Sequence, residues 1–154
     1  MVRWLLPQEL IQYYLIIYIY YIYITVPVTT VTFTPSGDNN VVDVIEIQTQ
    51  TFTCTTDPIR PAAWILWYIG GQNVTNQSTL HHQLQGADKF ISSGSLVYTG
   101  RDVDHNKVMF CEAVNIEGRQ KIKSAETYLN ILCKLPFLYI IWLIIDHSSI
   151  NSIQ

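Results

Sequence analysis

VMFCEAVN, residues Val108–Asn115, decides the fold. Side chains alternate along an extended chain. Met109, Cys111 and Ala113 therefore share one face, and Phe110, Glu112 and Val114 share the other. A cysteine flanked by methionine and alanine belongs to an interior. The same alternation in TFTC, ending at Cys54, puts that cysteine beside Phe52. In AAWILWYIGG it puts Ala63, Ile65 and Trp67 on one face and Trp64, Leu66 and Tyr68 on the other. Two distant segments thus carry an inward cysteine, and a third between them carries an inward indole.

Working outward, residues 28–132 read as strands. TVTFTPSGDNN is a strand and then a loop, and IEIQTQTFTC alternates into Cys54. DPIRPAA is a proline-rich turn. WILWYIGG ends at a glycine pair, and GQNVTNQSTLHHQLQGAD is a polar connection. KFISSGSLVYTG carries one or two strands, IEGR is a turn, and KIKSAETYLNIL is the last strand. No amphipathic helix or internal repeat interrupts this pattern. Many short strands at this spacing mean an all-β, antiparallel sandwich or barrel.

The chain of 154 residues is long enough for one domain with a real core. Charged residues make up only 14% and apolar ones 49%. That balance points to a segment that meets a membrane. A net charge of -3, with no local lysine–arginine cluster, supplies no footprint for nucleic acid. The apolar run is LIQYYLIIYIYYIYITVPV, Leu10–Val28, with Arg3 before it and Asp38, Asp43 and Glu46 after it. As a helix it would cover about 28 Å. The charge asymmetry would send the rest of the chain outward. A cleaved signal peptide, an uncleaved anchor and an extension outside the membrane all remain open for residues 1–27. In residues 133–154, the apolar stretch LPFLYIIWLII would make a helix of only about 16 Å, followed by a polar end.

The Cys…Trp…Cys arrangement, with strand alternation around each member, resembles the immunoglobulin superfamily. RPAAWILWYIGG is similar to the strand and turn around the core tryptophan of its cell-surface domains. SSGSLVYTGRDVDHNKVMFCEAVN is similar to the stretch leading into the second cysteine. The nearest pattern is the short seven-strand C2-type set of nectins and costimulatory ligands. The resemblance implies that Cys54 and Cys111 form the bridge and that Trp67 is the core tryptophan. It further implies that Leu96 and Tyr98 point inward and that Val103 packs under the following turn. Met109 stands where the family often has a tyrosine, so no tyrosine corner is expected there. His105 stands where an aspartate is usual, with Asp104 one place earlier.

A catalytic role has no motif behind it. The sequence holds no Gly-x-Ser-x-Gly elbow, no His-Glu-x-x-His and no phosphate loop. His81 and His82 are adjacent and do not converge from one strand. Asp102–His105 reads as a polar turn, so no metal and no cofactor is expected. Asn73-Val74-Thr75 and Asn76-Gln77-Ser78 are N-glycosylation acceptors. Trp64, Leu66, Tyr68, Phe110 and Glu112 are the expected binding face, with Val114 beside them. Either a protein partner contacts it or a terminal segment covers it. Cys133, left over after the pair, is either a plain thiol or the link of a disulfide dimer. The expectation is a cell-surface or secreted binding module for a protein ligand or a second copy. The alternative is a structural fragment of a larger multi-domain receptor.

Overall fold

In the computed structural model, residues 8–86, 88–117 and 119–133 are described. The chain opens with α1 (Gln8–Ile24), followed by β1 (Val31–Thr34), β2 (Val41–Ile45), β3 (Thr49–Thr56) and β4 (Trp64–Ile69). Next come β5 (Gln72–Asn73), β6 (Ser78–Gln85) and β7 (Lys89–Thr99). The last strands are β8 (Val108–Val114), β9 (Ile122–Lys123) and β10 (Thr127–Leu132). One sheet runs β1-β3-β7-β6. The other runs β2-β10-β8-β4-β5, with β9 also paired to β8. The two sheets form an immunoglobulin-like β-sandwich. Their inner faces meet in a core of Phe33, Phe52, Cys54, Leu96 and Tyr98 from the first sheet and Ile65, Trp67, Met109, Cys111 and Leu129 from the second.

The strand set is larger than the expected seven, and one pairing is not antiparallel. Val41–Ile45 lies parallel to Tyr128–Leu132. The chain leaves the edge of the first sheet after β1 and joins the edge of the second as β2. The crossing needs a tight turn. Asn39 and Asn40 take positive φ there, which asparagine tolerates. A Cβ at Gly37 would lie 1.6 Å from the Val41 carbonyl oxygen, so only glycine fits.

The stretch read as a polar connection holds β5 and the eight-residue strand β6. Its apolar alternation is weak because it is an edge: of the inward side chains Leu80 packs against the core, while His82 and Leu84 are exposed. The expected last strand is broken at Ser124–Glu126. There the Ser124 hydroxyl accepts from the Cys111 amide (3.1 Å) and donates to the Ala125 carbonyl (2.9 Å).

The Leu10–Val28 run divides in two. Helix α1 stops at Ile24, at about 26 Å by the usual rise. Val26 then exchanges both backbone hydrogen bonds with Arg60 (2.7 and 3.0 Å), and Val28 is buried. Asn115, which ends VMFCEAVN, fastens this segment. Its Nδ2 donates to the carbonyls of Val26 (2.8 Å) and Pro61 (3.1 Å), and its Oδ1 accepts from the Val28 amide (3.1 Å). Among the described residues no helix is long and apolar enough to cross a membrane. The apolar C-terminal stretch lies outside the described residues.

Candidate functional site

Cys54 of β3 and Cys111 of β8 are disulfide-bonded across the sandwich. Trp67 stands opposite Cys111 in the β4–β8 register and is fully buried. Its ring lies 5.8 Å from that of Phe33. Its Nε1 has no hydrogen-bond partner, so the indole is held by shape at a cost of about 1–3 kcal/mol. Gly94 makes the room. A Cβ there would approach Ile65 Cγ2 to 2.9 Å and Trp67 Nε1 to 3.1 Å.

Leu96 and Tyr98 point inward as expected, but Val103 does not pack under the turn. It is 64% exposed, and its neighbour Asp104 is buried instead. The turn closes on charge and not on an aliphatic side chain. Asp104 accepts hydrogen bonds from Tyr98 Oη, Arg101 Nε and Lys107 Nζ, each at 2.8 Å. Burial pushes its carboxyl pKa up, but the bonds from Lys107, Tyr98 and Arg101 outweigh burial and the net shift is downward. Burial and the bond to Asp104 push the Tyr98 phenol up to about 12. The buried aspartate of this turn is Asp104, one residue before His105, and Met109 is core.

On the opposite side of β4 and β8 the outward residues lie in register. Trp64 faces Val114, Leu66 faces Glu112, and Tyr68 faces Phe110. Trp64 is 70% exposed. The Tyr68 and Phe110 rings stack at 5.0 Å, nearly parallel, and Lys123 Nζ sits 3.7 Å above the Phe110 ring. Ion pairs Lys121–Glu112 (3.6 Å) and Lys123–Glu126 edge this row. The side chains of α1 from Leu10 to Tyr20 are themselves exposed, and the helix leaves Trp64 open.

The face also continues onto residues the sequence reading missed. Tyr128 pairs with Val108 on one side and with Val41 on the other. Leu132 pairs with Ile45, and all four of Val41, Ile45, Tyr128 and Leu132 are exposed. The alternation of TYLNIL already separated Tyr128, Asn130 and Leu132 from Thr127, Leu129 and Ile131. Strand β2 carried too little signal to place its outward residues beside them.

Asn73 lies on β5 directly opposite Tyr68, and its Oδ1 accepts from the Thr75 amide (3.0 Å). Asn76 lies in the short turn between β5 and β6. Both are exposed. Cys133, just past β10, is an exposed free thiol. Among the described residues no His, Cys, Asp and Glu side chains cluster as a metal site.

No family model matches the sequence, and no curated protein does. Solved structures do resemble the fold. One is Rst D1-D2, at 23% identity and a TM-score of 0.62 over 70% of this chain and 51% of that one. Another is the full ectodomain (Ig1-Ig3) of mouse nectin-like molecule 4, at 16% identity and a TM-score of 0.56 over 71% of this chain and 35% of that one. The chain therefore spans about half of the first and a third of the second.

Proposed function

We propose that the sandwich is an extracellular protein-recognition module that works by binding and not by catalysis, in adhesion or immune-type contact. The observation that carries this is the outward face of β4 and β8, with Trp64 open to solvent at one end and the half-buried Tyr68–Phe110 stack further along it. Exposed aromatics in a contiguous patch are costly in a free monomer and common at the centres of interfaces. The rim carries paired charges of both signs, so a second copy related by a two-fold axis can match it. A second copy is accordingly the partner we assign.

The Cys54–Cys111 disulfide suits an oxidising compartment, at the cell surface or secreted. The apolar α1 would supply attachment to a membrane or a secretion signal. The likeness to two multi-domain structures supports a related reading, in which this sandwich is one unit of a longer receptor.

Sedimentation velocity over a concentration series tests the assignment. The native chain should dimerise reversibly. Trp64→Ala and Tyr128→Ala should each weaken the dimer tenfold or more while shifting the melting temperature by no more than about 4 °C. A native chain that stays monomeric, or a dimer indifferent to both changes, overturns it.

A further inference from the structure

We propose that Asn73 carries an N-linked glycan whose first sugars lie on Tyr68 and screen that end of the aromatic face. The inference deepens the binding-face proposal and rests on it for its consequence, though not for its geometry. Residues directly opposite on antiparallel strands project from the same side of the sheet, with Cβ atoms about 5 Å apart. Asn73 is opposite Tyr68, and Tyr68 is opposite Phe110. The three therefore form one row across β5, β4 and β8. Phe110 occupies one flank of the Tyr68 ring in a near-parallel stack. The flank toward β5 is left for whatever Asn73 bears. The C–H face of a pyranose packs well on such a ring.

The side-chain amide is already set for this. Its Oδ1 accepts from the Thr75 amide, which fixes its direction. A glycosylated asparagine keeps that carbonyl oxygen, so attachment costs the turn nothing. In the transfer, Nδ2 attacks C1 of an oligosaccharide held on a polyprenyl diphosphate. The N–C1 bond forms, the C1–O bond to the diphosphate breaks, and the diphosphate leaves with the electron pair. Nδ2 gives up one proton. This happens in the secretory path, on a chain not yet folded.

The two acceptors differ in consequence. Asn76 sits in the turn that carries the chain from the second sheet to the first. A glycan there stands at the sandwich edge, off the row. Trp64 lies four residues along β4 from Tyr68, about 13 Å away at the usual strand rise. The core sugars at Asn73 therefore shield Tyr68 first and leave the Trp64 end open.

The full chain recovered from a secreting cell line tests this in two readouts. Peptide mapping after N-glycosidase treatment in heavy-oxygen water should mark residue 73. Nitration by tetranitromethane should then be several-fold slower at Tyr68 in the glycosylated chain than in Asn73→Asp or in the enzymatically deglycosylated native chain. Tyr128, on the same face but distant from β5, should react equally in all three, and Asn76→Asp should leave Tyr68 protected. A mark at residue 76 alone, no mark at all, or equal Tyr68 rates overturns the inference. Failure of the binding-face proposal looks different. Tyr68 stays protected, and the dimer tested above is absent or ignores Trp64→Ala.

Discussion

The two sheets share one core but present different characters to solvent, one rich in threonine and serine and the other in aromatics. Outward from the first sheet stand Thr32 and Thr34 of β1, Thr51, Thr53 and Thr55 of β3, Ser93 and Ser95 of β7, and Thr79 and His81 of β6, with Ile91 and Val97 of β7 among them. Outward from the second stand Trp64, Leu66, Tyr68, Phe110, Val108 and Tyr128, with Glu112, Asn130 and Asp43 among them. Threonine and the aromatics are all good strand formers, so strand propensity does not explain the division. A threonine face satisfies the backbone and needs nothing further. An aromatic face left open costs free energy in the monomer. The inner faces specify the fold, and the contrast between the outer faces is what the binding proposal rests on.

Changes to the shared core should affect both faces alike. The bridge between Cys54 and Cys111 spans 57 residues. In the chain-entropy account its removal costs about 4 kcal/mol. A Cys54→Ala/Cys111→Ala double variant should lose that much in urea unfolding, with equal loss of protection from hydrogen exchange in β3 and β8. Loss confined to one sheet would show that the sheets fold separately and would break the comparison.

The Asp104 cluster should come next. Asp104→Asn leaves Tyr98 Oη short of its charged acceptor inside the fold, whereas Arg101 and Lys107 reach solvent. The cost is then below the full value for a broken buried pair, at about 2–3 kcal/mol. The pH dependence has a definite sign. The folded pKa of Asp104 is lowered from 3.8, so its contribution is present above about pH 4 and disappears as pH falls through the lowered value. The Tyr98 phenol is raised from 10.0 to about 12. Its contribution is complete below pH 10 and is lost as pH rises through about 12. A difference titration at 295 nm between the native chain and Tyr98→Phe should show one phenol ionising near that upper value. Ionisation near pH 10 would contradict the cluster.

Smaller again is Gly94→Ala. The new methyl meets Ile65 and Trp67 at overlapping distances. Overpacking of this kind costs about 1–3 kcal/mol. The near-ultraviolet circular dichroism of Trp67 should change with it, and an unchanged spectrum would mean that the indole does not depend on that gap.

These cases show what was legible in the sequence. Alternation around Cys54, Trp67 and Cys111 was strong because each strand has a dry side and a wet side. The same rule placed Trp64, Leu66, Tyr68, Phe110 and Glu112 together. It failed at β6, where only Leu80 and Leu84 mark the inward side of STLHHQLQ, because an edge strand buries little. It missed β2, whose five residues pair in parallel with the far end of the chain, a contact no local pattern reports. The place of Val103 under the turn follows only from the family resemblance, and the structure leaves that residue exposed. Only the distances from Asp104 to Tyr98, Arg101 and Lys107 reveal that the turn closes on a carboxylate.

The smallest effect on stability separates the two faces most cleanly. Trp64 and Val97 are both exposed apolar residues, at 70% and 58%, and they stand on opposite sheets. Neither fills a cavity, so Trp64→Ala and Val97→Ala should each shift the unfolding free energy by under about 0.5 kcal/mol. That is a change of about 2–4 °C at most for a domain of this size. Association should divide them. Trp64→Ala removes the largest open ring from the aromatic face and should weaken the dimer tenfold, whereas Val97→Ala, among threonines and serines, should leave it unaltered. If both variants weaken association equally, the partner surface is not confined to β4 and β8, and the two outer faces are alike in function despite their composition.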